Sequence, residues 1–208
     1  MDEFAGLTDF FDAMTYWNAV QRMLASDGRF TTKAPLYELP YLDGRRLMIP
    51  RGPGSAENSE GYTDYSILDE SDSYSLRVSG RTRKDIRPDR PKSWFGHFDD
   101  AAKYFVGAHV AEITRMFHKP STLPVVNLQW LNRGLAPGWL QSSEPNPSGF
   151  EPATRYFMAK DPGRFYFTDS TDTAASFLVS LTWRELNATF SEGIPGAENI
   201  QMPKFSDE

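Results

Sequence analysis

The stretch from Trp94 to Pro120 most constrains the fold of this chain. Phe98, Ala101, Ala102, Phe105, His109, Ile113, Met116 and Phe117 recur at helical spacing. Asp99 and Asp100 stand where carboxylates favour the positive end of a helix, and His118 and Lys119 where cations favour the negative end. Pro120 stops the pattern, and Trp94–Phe98 has strand character just before it. A strand that launches a long amphipathic helix needs a sheet to lie on.

The rest of the chain supplies that sheet. Tyr37–Tyr41 reads as a strand limited to an edge by Pro40, Asp43-Gly44 as a hairpin turn and Arg46–Ile49 as its return. Tyr62–Asp69 and Tyr74–Ser79 form a second hairpin around the polar turn 70–73. Val125–Trp130 and Ala174–Leu181 read as further strands, and Thr154–Ala159 and Arg164–Thr168 flank the tight connection 160–163. Arg51–Gly61, Arg81–Lys92 and Ser142–Pro152 read as loops from their glycine, proline and polar content, the last as mobile.

Two further helices frame this. Phe10, Ala13, Met14, Trp17, Val20 and Leu24 form one apolar stripe over about residues 9–26, with Thr8 or Asp9 as cap and Gly28 beyond the end. Thr182-Trp183-Arg184-Glu185 is a capping box that opens a helix at about 183–191, ended by Gly193. The expected fold is a single α+β domain over residues 8–196, a mostly antiparallel twisted sheet with about three helices packed on it. Residues 1–7 and 197–208 are expected to be flexible ends.

Fifteen Phe, nine Tyr and five Trp in 208 residues suffice for a large aromatic core. The chain has no cysteine, which removes disulfides and thiolate chemistry and suits a reducing compartment. It shows no secretory signal and no apolar run of membrane-spanning length, so a cytoplasmic location away from membranes is expected. A net charge of -6 disfavours nucleic acid as partner and tolerates a basic protein. The basic run Arg81–Lys92 reads as a solvated loop neutralised by the acidic hairpin before it.

The search for chemistry yields no catalytic residue, cofactor site or metal site. The histidines at 97, 109 and 118 lack metal-ligand spacing, and His109 sits on the apolar stripe. Gly52-Pro53-Gly54-Ser55 lacks the ending of a phosphate loop, and no nucleophile elbow is present.

Several segments in order resemble a known family. They are the early helix with Trp17, the run Tyr74-Ser75-Leu76-Arg77-Val78-Ser79-Gly80-Arg81, and Phe98-Asp99-Asp100-Ala101-Ala102-Lys103-Tyr104-Phe105. Leu123-Pro124, Leu135-Ala136-Pro137-Gly138-Trp139 and Leu181-Thr182-Trp183-Arg184-Glu185-Leu186 follow. The chain resembles the bacterial toxin–immunity family that includes the immunity factor of the tuberculosis necrotizing toxin. The resemblance implies a cytoplasmic, non-enzymatic inhibitor without cofactor that occludes the active site of a cognate toxin, here a secreted NAD-degrading glycohydrolase.

An active site shaped for an anionic dinucleotide presents basic and amide donors, which inserted carboxylates satisfy. The candidate contacts are therefore Gly52, Gly54, Glu57 and Glu60 in one loop and Asp69, Glu70 and Asp72 at the hairpin tip. Two other readings stand beside it, a carboxylate-dependent hydrolase and a structural or adaptor domain.

Overall fold

A computed structural model describes residues 4–31, 34–52, 61–82, 85–119, 123–145, 152–168 and 172–206. Eight strands form one antiparallel sheet: β1 (Tyr41–Asp43), β2 (Arg46–Ile49), β3 (Gly61–Asp69), β4 (Tyr74–Thr82), β5 (Ile86–Phe95), β6 (Trp139–Pro145), β7 (Pro152–Met158) and β8 (Asp161–Thr168). Their spatial order is β1-β2-β3-β4-β5-β8-β7-β6. The chain lays down β1 to β5 as a meander, leaves for a helical layer, and returns with β6 to β8 running back toward β5. The two meanders meet at a short seam, Ser93↔Thr168, Trp94↔Phe167 and Phe95↔Tyr166. Gly96 ends that seam: its amide donates to the Phe165 carbonyl at 2.8 Å, and a Cβ there would lie 1.9 Å from the Gly163 oxygen. Only glycine permits so close an approach of two backbones.

Five helical rods accompany the sheet among the described residues. The first is α1 (Leu7–Ser26); its predicted stripe, Phe10 to Leu24, is fully buried. It begins at Gly6 in the left-handed region with no side-chain cap. Asp9, an expected cap, instead accepts the Ser206 amide at 2.9 Å and bonds the Ser206 hydroxyl. Within the end expected to be flexible, 197–208, Phe205 is buried and stacks on Trp183 with ring centroids 6.1 Å apart.

The second rod is the one announced by the Phe98–Phe117 pattern. It runs as α2 (Phe98–Phe105), a π-helical turn (Val106–Ala111) and α3 (Glu112–Phe117). The remaining rods are α4 (Val126–Leu131), α5 (Ala174–Ser180) and α6 (Trp183–Ser191). In α6 the capping box is complete, with the Glu185 amide donating to the Thr182 hydroxyl at 3.2 Å and the Thr182 amide to the Glu185 carboxylate at 2.8 Å.

The core lies between the helices and one face of the sheet, where Leu47, Ile49, Ile67, Leu76, Phe95, Tyr156 and Tyr166 are fully buried. Trp17 donates its indole N–H to Asn187 Oδ1 at 2.7 Å, tying α1 to α6 inside that core. At roughly 25 cal/mol per Å² of apolar surface removed from water, such large side chains dominate the stabilisation.

Three expected elements are corrected. Val125–Trp130 and Ala174–Leu181 are helices α4 and α5, not strands. In α4 the Glu112 carboxylate accepts the Val126 and Asn127 amides at 3.0 and 3.2 Å, a cap supplied from another rod. In α5 the Asp172 carboxylate accepts the Ala175 amide at 3.1 Å. Most of the expected loop Arg81–Lys92 is strand β5, paired to β4 through register shifts at Leu76/Arg77 and Val78/Gly80. Pro88 and Pro91 are tolerated because β8 pairs β5 only from Ser93 onward, so one edge there has no strand beside it among the described residues.

Smaller shifts accompany these. The Tyr37–Tyr41 strand reduces to a bridge, Tyr37↔Arg51, and β1 begins at Tyr41. The Trp94–Phe98 strand ends at Phe95 and Phe98 opens α2. Most of Ser142–Pro152 that is described is strand, the ends of β6 and β7; residues 146–151 lie outside the described residues.

Candidate interaction surface

The turn joining β3 to β4 holds three of the predicted contact residues. Asp69 is pinned on two sides: Arg45 Nη2 lies 3.0 Å from its Oδ1, and the Ser71 amide donates to the same oxygen at 2.8 Å. Burial alone pushes the Asp69 carboxyl up, but the Arg45 guanidinium and the Ser71 amide together hold its pKa below the ordinary carboxylate value. The turn this builds is tight enough to place Ser71 at φ 78°, a conformation uncommon for a residue with a side chain.

Glu70 is likewise engaged. Its amide donates to the Ser73 carbonyl at 2.8 Å, and its carboxylate accepts from the Ser75 hydroxyl at 2.6 Å and from Arg77 at 3.4 Å. Asp72 is exposed and makes no hydrogen bond or ion pair to a described residue. The tip therefore offers one free carboxylate on a turn held stiff by two partnered ones.

Gly52 has a different role from the close-approach loop glycine expected of it. Its amide donates to the Leu36 carbonyl at 2.8 Å, and a Cβ would lie 1.8 Å from the Pro35 oxygen. It is a crossing point of two backbone segments. Gly54, Glu57 and Glu60 lie outside the described residues.

Within the charge run after the hairpin, the acid Asp89 takes its partners from β2 and β4, and no ion pair from Arg87, Arg90 or Lys92 to the acidic hairpin is present among the described residues. Asp89 Oδ2 accepts from Arg46 at 3.0 Å and from Arg77 at 2.9 Å, linking β2, β4 and β5 across the sheet face away from the helices. Arg87 and Arg90 are exposed on the outer part of β5.

A second polar constellation, at the base of α2 and α6, lines a cleft of about 410 Å³ with His97, Asp99, Asp100, Lys103, Asp161, Arg164 and Thr182. Arg164 grips Asp100 with a two-pronged contact, Nε to Oδ2 at 2.9 Å and Nη2 to Oδ1 at 2.7 Å, and its Nη2 also donates to the Val179 carbonyl at 2.6 Å. Burial pushes the Asp100 carboxyl up and Arg164 opposes it, while the carboxylate holds the guanidinium above its ordinary value.

Asp99 accepts from Lys103 at 2.8 Å and from the Trp183 indole at 2.7 Å. These carboxylates are committed to structural partners, and no group of three or more metal-ligating side chains is present among the described residues. Sequence reasoning placed Asp99 and Asp100 at a helix start but missed their partners: Lys103 is an i,i+4 neighbour in the same helix, whereas Arg164 and Trp183 come from β8 and α6 with no local signal.

His109 stands in the π-helical turn with its Nδ1 3.5 Å from the Tyr65 hydroxyl, and its Nε2 is buried without a hydrogen-bond partner. Burial, assisted by the charge of Lys92, lowers its pKa to about 3. It is a neutral core imidazole at physiological pH. Among the described residues no helix is long and apolar enough to cross a membrane.

No protein-family model matches the chain, and no curated protein matches it. Among solved structures, the chain is similar to one described as Rv3902c from M. tuberculosis, with a TM-score of 0.58 and 10% sequence identity over 97% of this chain and 95% of that one. At that identity the two share a fold along nearly their full lengths.

Proposed function

We propose that this chain is a cytoplasmic immunity protein that binds a cognate bacterial toxin, an NAD-degrading glycohydrolase, and blocks its active site without catalysis of its own. The observation that supports this reading best is the construction of the β3–β4 tip. Arg45 and Arg77 hold Asp69 and Glu70, and the stiffened turn presents Asp72 to solvent. A preorganised turn loses little conformational freedom on binding, and a carboxylate on it complements donors that otherwise hold a dinucleotide pyrophosphate. The ordered segments that resemble the immunity family support the same reading.

The test is co-purification of the native protein from its host with a toxin fragment, followed by NAD hydrolysis assays of that fragment. Stoichiometric loss of hydrolysis on adding the purified chain is expected. Hydrolysis that continues undiminished with the chain in excess overturns the proposal.

A further inference from the structure

We infer that β6 is a pairing edge for a second copy of this chain, joining two eight-stranded sheets across a two-fold axis at Ser142. The sheet has two outer strands, β1 and β6. The β1 edge is blunted in the manner of protected edges: it is three residues long, follows Pro40 and runs into the turn at Gly44. By contrast, β6 spans seven residues and pairs with β7 without a register shift from Trp139↔Met158 to Pro145↔Pro152. It carries no lysine and no bulge, and its two residues of the protective kind, Glu144 and Pro145, sit together at one end of the strand.

The backbone groups that face outward follow from the ladder. The Ala159 amide donates to the Gly138 carbonyl at 2.8 Å, so Gly138 and, by alternation, Leu140, Ser142 and Glu144 point their backbone groups at β7. Trp139, Gln141, Ser143 and Pro145 point outward. Consistently, the Trp139 amide turns away from β7 and donates to Ala136 at 3.1 Å. Gln141 and Ser143 are exposed, and their outward amides and carbonyls have no partner among the described residues.

This pattern is symmetric about Ser142, which is why the occupant is a second copy. In an antiparallel pair centred there, Gln141 of each copy faces Ser143 of the other, and the outward N–H and C=O groups of both residues close four hydrogen bonds. Beyond them Trp139 faces Pro145 of the other copy. Trp139 has already spent its amide and proline has none, so no donor is orphaned at either end. The side chains agree. Glu144, the edge's only charge, is held by Ser142 at 2.8 Å and Arg155 at 3.4 Å, so like charges do not meet despite the net charge of -6. Leu140, 49% exposed, gains cover from the adjoining copy.

The chain has no cysteine, which makes the test sharp. Directly opposed residues of a non-hydrogen-bonded pair lie about 4.5 Å apart at Cα, within disulfide range. Ser142→Cys, oxidised mildly, is expected to give a covalent dimer, whereas Thr189→Cys on α6 is expected not to. Sedimentation equilibrium of the unmodified chain from about 1 μM to 1 mM, the range of weak specific association, is expected to show reversible doubling of mass.

Ser143→Pro removes one outward amide without touching the β7 ladder, and Gln141→Lys blunts the edge without proline. Both are expected to weaken association about tenfold or more while thermal unfolding stays cooperative. A chain that stays monomeric throughout, or a dimer unaffected by Gln141→Lys, overturns the inference. So does the finding that only the toxin, and no second copy, protects the Gln141 and Ser143 amides from hydrogen exchange.

Discussion

Asp100 at the foot of α2 and Asp72 at the β3–β4 tip are the same side chain in opposite circumstances. Asp100 is 2% exposed and gripped by Arg164, while Asp72 is exposed with no described partner. Between them stand Asp69, 10% exposed and held by Arg45, and Glu70, 33% exposed and paired with Arg77. The gradient separates a carboxylate that is committed to internal partners where water is excluded from one that is left open to solvent where it is not. A buried carboxylate stripped of its cation keeps its desolvation cost, whereas a surface one is resolvated by water.

The sharpest way to break this contrast is Arg164→Ala. It leaves Asp100 buried without its guanidinium and is expected to cost about 3–5 kcal/mol in urea unfolding. A loss below about 1 kcal/mol would mean that the pair is worth no more than a surface bridge.

The next effect is pH-dependent. The folded chain holds His109 neutral down to a pKa of about 3, while the unfolded imidazole takes its proton near 6.5. The unfolded state therefore binds the extra proton first, and stability falls as pH drops from 6.5 toward 3 by roughly 1.4 kcal/mol per pH unit from this group. Burial raises the pKa values of Asp100, Glu112 and Asp172, which contributes the opposite slope, so the measurement is the difference between wild type and His109→Gln. Parallel curves between pH 4 and 6 would remove His109 from the balance.

Glu112→Ala comes third. Losing the acceptor for the Val126 and Asn127 amides is expected to cost about 1–3 kcal/mol and to speed hydrogen exchange in α4 selectively. Uniform exchange across all helices would show that α4 does not depend on its borrowed cap.

The smallest stability effect is expected at the tip. Asp72→Lys should change unfolding free energy by no more than about 0.5 kcal/mol, yet weaken toxin binding and flatten its salt dependence. Asp69→Lys should do both kinds of damage because it also strips Arg45. If Asp72→Lys leaves inhibition and its salt dependence intact, the tip is not the contact.

What could be read from the sequence was what the chain decides within a few residues. The stripe of α1, the capping box of α6 and the turns at Asp43-Gly44 and 70–73 need only near neighbours, and they lie where expected. The misread pieces depend on distant partners. Val126 and Asn127 become helical because a carboxylate 14 and 15 residues earlier accepts their amides. The run Ala174–Leu181 fits a buried strand or a short buried helix equally well by hydrophobicity, and Asp172 settles it by capping.

Prolines and charges disguised β5, whose Asp89 is neutralised by arginines from β2 and β4. At the candidate surface, the position of the turn was legible. The pairing of Asp69 was not, because Arg45 arrives from the neighbouring hairpin, whereas Glu70 is held within its own hairpin by Ser75 and Arg77.

The π-helical turn sets the rotational phase of a whole helix. A turn closed over five residues in place of four holds one extra residue, and each residue in a helix advances the direction of its side chain by roughly 100°. Upstream of the turn, Ala101, Ala102 and Phe105 are buried in the core; downstream, Glu112 meets α4 and Arg115 reaches the Phe190 and Glu192 carbonyls at the end of α6. One rod thus addresses two sets of partners whose directions an unbroken α-helix would not reconcile. The length of this segment is consequently under tighter constraint than its composition. Deleting Ala108 alone would swing Glu112 and Arg115 away from both targets together, a change that no substitution at a single position reproduces.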